Sequence, residues 1–255
     1  MKNGPSKTVN WTTSEAILHI DNTLLVINKP AGLPTLPDGY DPSAPYVRSL
    51  LEPIYGRLWI VHRLDRDTSG VLALARTAQA HQALNTQFET RQVAKTYHAL
   101  VTGNPDWDEK TVDLPLRPDV GHKHRTAVDR QRGKPAVTHL RVLERLGVHT
   151  LIEAKPETGR THQIRAHLAA VGLPILGETL YGPHPPPSPL PSPVADQRER
   201  QGESLISRPA LHAFSLALEH PVSHAPLRFE APYPADFSSA LANIRQSNLP
   251  KSMWA

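Results

Sequence analysis

The stretch His62-Arg63-Leu64-Asp65-Arg66-Asp67-Thr68-Ser69-Gly70 crowds two acids, two arginines and a histidine into one turn and stops at a glycine. A second stretch, Gly159-Arg160-Thr161-His162-Gln163-Ile164-Arg165, brings a histidine and an arginine three residues apart, onto one face of a helix. Side chains of these types support carboxylate chemistry, either general acid–base or nucleophilic. A carboxylate set among strands needs a cation to keep it ionised, and an arginine within about 4 to 6 Å supplies one. Asp65 paired with Arg165 is such an arrangement; Asp67 stays open as the alternative acid. Taken singly, each stretch also fits a salt-bridged turn or a polar helix start.

Other chemistries find less support. His162 and His167 stand five residues apart, about 140° around a helix, which is wrong for two ligands of one metal. His122 and His124 flank Lys123, in a stretch whose cations repel a metal and attract phosphate. Between Arg117 and Arg145 basic residues outnumber acidic ones, as a footprint for a phosphate backbone requires. Neither a glycine-rich phosphate loop nor a serine elbow occurs.

The elements that must position these residues follow from pattern. Ile17 to Ile20 and Leu24 to Asn28 read as strands about the turn Asp21-Asn22-Thr23, followed by the rigid loop Lys29 to Pro34. The apolar runs Leu58 to Val61 and Val71 to Ala75 flank the acidic turn and are expected to wall a site there. Thr77 caps a helix that carries Ala80, Leu84 and Phe88 on one face and runs to about Arg91. Residues 95–103 form a strand, and residues 137–159 a hairpin turning near Leu146-Gly147. Ile164, Leu168 and Val171 give a helix stopped by Gly172 and Pro174, and a last hairpin closes around Pro221 to Pro226. The expected class is α+β, with a mixed, largely antiparallel sheet and flanking helices. Residues 1–14 and 241–255 are expected as tails around a domain spanning 15–240. Within it, a proline-rich insertion of about 183–203 reads as extended and solvated.

Composition sets outer limits. The 255 residues, 39% of them hydrophobic, suffice for one large domain or two small ones, and 28 Lys and Arg against 24 Asp and Glu lean the surface toward polyanions. The absence of cysteine excludes disulfides and thiolate metal sites. No run resembles a signal peptide or approaches the roughly 18 apolar residues of a membrane span, so a cytoplasmic address without membrane contact is expected.

The acidic turn, taken together with Ile27 to Thr35, Lys95 to Gly103 and Gly159 to Gly182, closely resembles the RluA-type pseudouridine synthases. The resemblance runs over about residues 15–240 in one order and implies the pseudouridine synthase fold with a central RNA-binding cleft. It implies that Asp65 is the catalytic aspartate, that Tyr97 packs on the flipped uracil and assists loss of its C5 proton, and that Arg165 pairs with the acid. Arg63 would occupy the space of the expelled nucleotide, Asp67 falls at a variable position, and Lys29 and Pro30 match a structural motif. His62, Lys123, Arg125, Arg160 and His162 complete the expected RNA contacts. Because uridine becomes its own isomer, no cofactor or metal is called for. Ribosomal or transfer RNA is the expected partner, bound by a monomer without the S4 domain that many members carry. The competing readings are an inactive RNA-binding protein of the same fold and a carboxylate-dependent glycosidic hydrolase.

Overall fold

A computed structural model describes residues 16–39, 41–121, 125–182 and 205–248. The expected proline-rich insertion, the N-terminal tail 1–14 and Lys123 lie outside them. Of the two strands that carry the acidic turn, β4 is buried along its whole length and β3 only partly. Strands β1 (Ile17–Ile20), β2 (Leu24–Lys29), β3 (Trp59–Ile60) and β4 (Ser69–Ala75) form one half of a large sheet. Their continuous apolar runs have a direct cause, because β2 and β4 are covered on both faces. Leu25, Ile27, Leu72 and Leu74 pack with Val47 and Leu51 of helix α1 (Val47–Tyr55). Leu24, Val26, Val71 and Ala73 pack the other way, against Ala80 and Leu84 of helix α2 (Ala78–Glu89), which is capped by the Thr77 hydroxyl as expected.

The other half is built from β5 (Ala94–Thr102), β6 (Glu109–Asp113), β9 (Val137–Leu146) and β10 (His149–Pro156), with β7 (Leu116–Val120) and β8 (Arg125–Val128) forming a separate two-stranded ribbon. Helix α3 (Gln163–Ala170) and the C-terminal helix α4 (Ala235–Ser247) cover it. Strand β11 (Leu211–Glu219) joins the halves, giving the order β1-β2-β4-β11-β5-β10-β9-β6, while β12 (Pro226–Glu230) extends β11. Among the described residues only the β4–β11 pair is parallel, which bears out the mixed, largely antiparallel sheet.

Register places the site at the centre of this sheet. Gly70 lies beside Ala213 of β11, and Ala213 beside Tyr97 of β5. The fit is tight at Gly70, where φ is 115° and any Cβ would collide with the Ala213 backbone, so only glycine closes the acidic turn into β4.

Two expectations are corrected here, and one element is new. Residues 241–247 are not a tail, because α4 continues to Ser247 with Leu241 and Ile244 buried; the rest of the expected tail, 249–255, lies outside the described residues. Helix α1 was not foreseen. Finally, Val71 to Ala75 do not wall a cleft, since the sheet buries them on both faces; from the two runs, Val61 alone reaches the cleft.

Candidate active site

The turn between β3 and β4 is held chiefly through its backbone, by side chains and an amide from elsewhere in the chain, with Arg66 Nε adding a bond to the Gly32 carbonyl at 3.2 Å. Thr35 Oγ1 donates to the Leu64 carbonyl at 2.8 Å and accepts from the Leu64 amide at 3.2 Å. The Gly32 amide and Lys29 Nζ both donate to the Arg66 carbonyl, at 2.9 and 3.1 Å. Lys29 is fully buried, and its Nζ also donates to the carbonyls of Pro30 and Leu33, at 2.8 Å each. Burial pulls Lys29 down to about 7, with the Asp67 and Asp65 charges opposing. Three carbonyl acceptors nevertheless match the three N–H groups that only the ammonium has. From the far side, Arg208 Nη1 donates to the Asp67 carbonyl at 3.0 Å while its fork grips Asp236. The turn is thereby clamped, and Asp65 projects from a rigid mount.

Asp65 opens into a cleft of about 460 Å³ lined by the acidic turn, the end of α2, Lys95 and Tyr97 of β5, and residues 156–165. A volume of this size falls in the range of small-ligand pockets, roughly 300 to 1,000 Å³. The Arg165 guanidinium and the His162 ring face the carboxylate: Arg165 Nη1 and His162 Nε2 each lie 3.8 Å from Asp65 Oδ2. These are ion-pair distances, not hydrogen bonds. Among the described residues no hydrogen bond reaches the Asp65 side chain.

Glu178 explains this spacing. Its buried carboxylate accepts from Arg165 Nε at 2.7 Å and Nη2 at 2.9 Å, and also from the Leu180 amide at 2.7 Å. Burial opposes charge on Glu178, yet Arg165 and the two amides at Leu180 and Tyr181 hold its carboxyl below the ordinary range. The same pairing outweighs burial at Arg165 and keeps the guanidinium charged. Tyr181 then closes the back of the group. Its ring lies 5.2 Å under the Arg165 guanidinium, its oxygen accepts from the Thr126 amide at 2.6 Å, and it lies 3.0 Å from His162 Nδ1. His162 starts α3 with φ at 52°, a left-handed conformation that a side chain adopts only under constraint. Burial lowers its pKa, Asp65 opposes the shift and Arg165 adds to it.

Tyr97 is tucked against both apolar clusters beside the cleft. Burial first, and the Asp65 carboxylate second, push its phenol above the ordinary tyrosine range, so it stays protonated. His62 also lines the cleft, but its Nε2 accepts from the Ala73 amide at 2.9 Å and its ring stacks on Phe88 with centroids 4.7 Å apart. Burial lowers it to about 3, so it stands in the wall as a neutral ring. Arg63 is exposed at the cleft, and Arg160 lines it while donating to the Pro135 carbonyl at 3.2 Å. Arg125 opens β8 and is not among the lining residues. In the basic stretch, Arg117, Arg141 and Arg145 are spent on Asp129, Glu153 and Asp108.

The structure thus brings Asp65, Tyr97, Arg165, Arg63, His62, Arg160 and His162 to one cleft. Sequence reasoning missed Glu178, Tyr181 and Lys95. The first two stand in Gly177-Glu178-Thr179-Leu180-Tyr181-Gly182, where an acid thirteen residues past Arg165 was the available signal.

Comparison with known proteins agrees with the geometry. The family described as RNA pseudouridylate synthase matches residues 23–170. The ribosomal large subunit pseudouridine synthase D of Pseudomonas aeruginosa is 39% identical over 236 residues, covering 90% of this chain and 72% of that protein. Its counterpart from Xanthomonas campestris is 41% identical over 239 residues, covering 91% and 70%. Among solved structures, human RNA pseudouridylate synthase domain containing 4 superposes with a TM-score of 0.70 at 29% identity, covering 90% of this chain and 93% of that one. A family match over more than half of the residues, joined to relatives of about two-fifths identity along nine-tenths of the chain, places this protein in the RNA pseudouridylate synthase family, as an isomerase of RNA.

Proposed function

We propose that this chain converts uridine to pseudouridine in large-subunit ribosomal RNA, with Asp65 as the catalytic carboxylate acting on a base flipped into the cleft. The RNA class is taken from relatives titled ribosomal large subunit pseudouridine synthase D. The observation that carries the mechanism is the carboxylate of Asp65, faced at 3.8 Å by the Arg165 cation and by the His162 ring, neither of which hydrogen-bonds to it. Because Glu178 occupies the Arg165 fork, the guanidinium supplies field without capturing the oxygen lone pairs.

In this reading the bond from C1′ to N1 breaks, the detached uracil turns within the cleft, and C1′ rejoins at C5 with loss of one proton. Retaining glycosidases use a similar carboxylate and finish with water; here water must be kept out or the base is lost. Val61, Leu64, Phe88, Ile164 and Leu211 supply apolar wall for that purpose. Tyr97, protonated at rest, packs against the base and relays the C5 proton: its oxygen takes that proton as its own O–H proton passes to the Asp65 carboxylate, which is free again once C1′ has rejoined the base. Arg63, exposed at the mouth, holds the space vacated by the base, since flipping costs a few kcal/mol that something must offset.

The test is tritium release from RNA labelled at uridine C5, prepared from cells lacking this protein. Wild type is expected to release label from large-subunit ribosomal RNA, and Asp65→Asn to bind that RNA without release. Binding with no release by wild type identifies an RNA-binding protein that has lost catalysis. Appearance of free uracil identifies a hydrolase, and release from transfer RNA alone moves the substrate class.

A further inference from the structure

Lys95 and Tyr97 stand two residues apart on β5 and so share one face of the sheet, separated along the strand by roughly 6 to 7 Å. Both line the cleft, Tyr97 beside Asp65 and Lys95 toward the end of α2. The intervening Thr96 and the following His98 are buried, and His98 turns to Phe214 and Tyr233 instead. Lys95 Nζ donates to the Thr158 carbonyl at 3.3 Å, which leaves two of its three N–H groups for another acceptor.

Nothing anionic claims this ammonium. Among the described residues neither Lys95 nor Arg91 forms an ion pair, and the charged neighbour that acts on Lys95 is Arg91, which lines the same cleft. The carboxylates nearby are Glu89, which is exposed, and Glu157, which bonds His139 Nε2 at 2.6 Å. Lys95 is half-buried and Arg91 stands exposed at the rim of the cleft; side by side without an ion-pair partner they repel each other, and an anion arriving from outside relieves both. The anion must be compact and multiply accepting, and it must arrive together with a base in the neighbouring part of the cleft.

We infer that Lys95, with Arg91 beside it, holds a phosphodiester of the strand flanking the flipped uridine. The inference rests on the RNA-isomerase reading above and adds a backbone-phosphate contact to it. The spacing from Tyr97 suits a nucleotide whose base packs at Tyr97 while its backbone passes over Lys95. Burial and Arg91 bring Lys95 down to about 8, so it still carries its charge at neutral pH, and a bound phosphate would restore it. Lys95 also fixes the loop bearing Arg160 and His162 through Thr158, so its ammonium is held in place before RNA arrives.

The experiment has two stages. Tritium release by wild type first identifies the RNA class turned over; no release from any class overturns the isomerase reading itself. With that RNA, Lys95→Gln and Lys95→Arg are compared for kcat and KM, and binding is measured across a salt series in an Asp65→Asn background. Lys95→Gln is expected to raise KM about tenfold, to change kcat little, and to lower the log–log salt slope by roughly 0.7 to 0.9, the share of one phosphate. Lys95→Arg is expected to restore both. An unchanged slope overturns the inference, and an unchanged slope with lowered kcat and Tm assigns Lys95 to holding the Thr158 loop.

Discussion

Asp65 is useful because another acid satisfies its arginine. If Arg165 met Asp65 with its full fork, the carboxylate would be neutralised and its lone pairs occupied; Glu178 takes the fork at 2.7 and 2.9 Å and leaves Asp65 at 3.8 Å. Glu178→Gln removes that competition. The guanidinium is then expected to turn onto Asp65, lowering kcat about 10²-fold while RNA affinity changes little. Breaking a buried pair should also cost about 3 kcal/mol of stability. Single-turnover kinetics and urea melts check the two effects, and a wild-type kcat would show that Glu178 does not set the spacing. That Arg165 would face an acid of the turn was legible from residue types, while the choice of Asp65 over Asp67 came from the family resemblance and not from the residues alone. The role of Glu178 was not, because it depends on how the chain returns after α3, and no short-range pattern encodes that return. His62 teaches a related lesson: its type suggests a cation for RNA, but the Ala73 amide and the Phe88 ring make it a neutral part of the wall.

At the scale of elements, legibility followed the strength of the local signal. The hairpins of β9 with β10 and β11 with β12, and the Thr77-capped helix, announce themselves by alternation, turn residues and a cap. Helix α1 carries Pro53 in its interior and begins at Tyr46, a residue that does not advertise a cap; its box is completed by Ser49, whose hydroxyl accepts from the Tyr46 amide at 2.9 Å. Past Ala240 the sparse apolar residues of helix α4 read as a tail, yet Phe237, Ala240, Leu241 and Ile244 all enter the core behind β5 and β10. Arg245 pairs with Glu144 at 2.6 Å and Asn248 Nδ2 donates to the Leu146 carbonyl at 3.0 Å, so the helix also braces the β9–β10 turn. Leu241→Ala or Ile244→Ala is therefore expected to cost about 2 to 4 kcal/mol. In a solvated tail the same changes would stay within about 0.5 kcal/mol. Denaturant midpoints decide between the two, and values near the wild type would detach α4 from the core.

For the whole molecule, the histidines tie stability to pH. His98 stacks on Phe214 at 4.2 Å and bonds the Tyr233 hydroxyl at 2.5 Å; His212 donates through Nε2 to the Ala231 carbonyl at 3.1 Å, which leaves Nδ1 to accept from the Ser69 hydroxyl at 2.9 Å. Burial is the largest cause that lowers each of them to about 4, while an unfolded histidine titrates at 6.5. Between those values the unfolded chain binds more protons than the folded one, so stability rises with pH and is lost on acidification below about 6.5. At pH 5 the expected loss is about 2 kcal/mol for each of the two. The depressed carboxyls of Glu178 and Asp236 act in the same direction, but their contribution begins to fade only near the unfolded carboxylate range. Acid unfolding should accordingly start in the imidazole window, one to two pH units above a carboxylate-driven transition. Urea unfolding free energies from pH 7.5 to 4.5 measure the slope, and His212→Gln should flatten it. A flat profile down to pH 5 would mean that these rings accept protons in place. Because Ser69 opens β4 directly after the acidic turn, the first protonation at His212 loosens the strand that mounts Asp65, so turnover should decline with acid no later than global stability does.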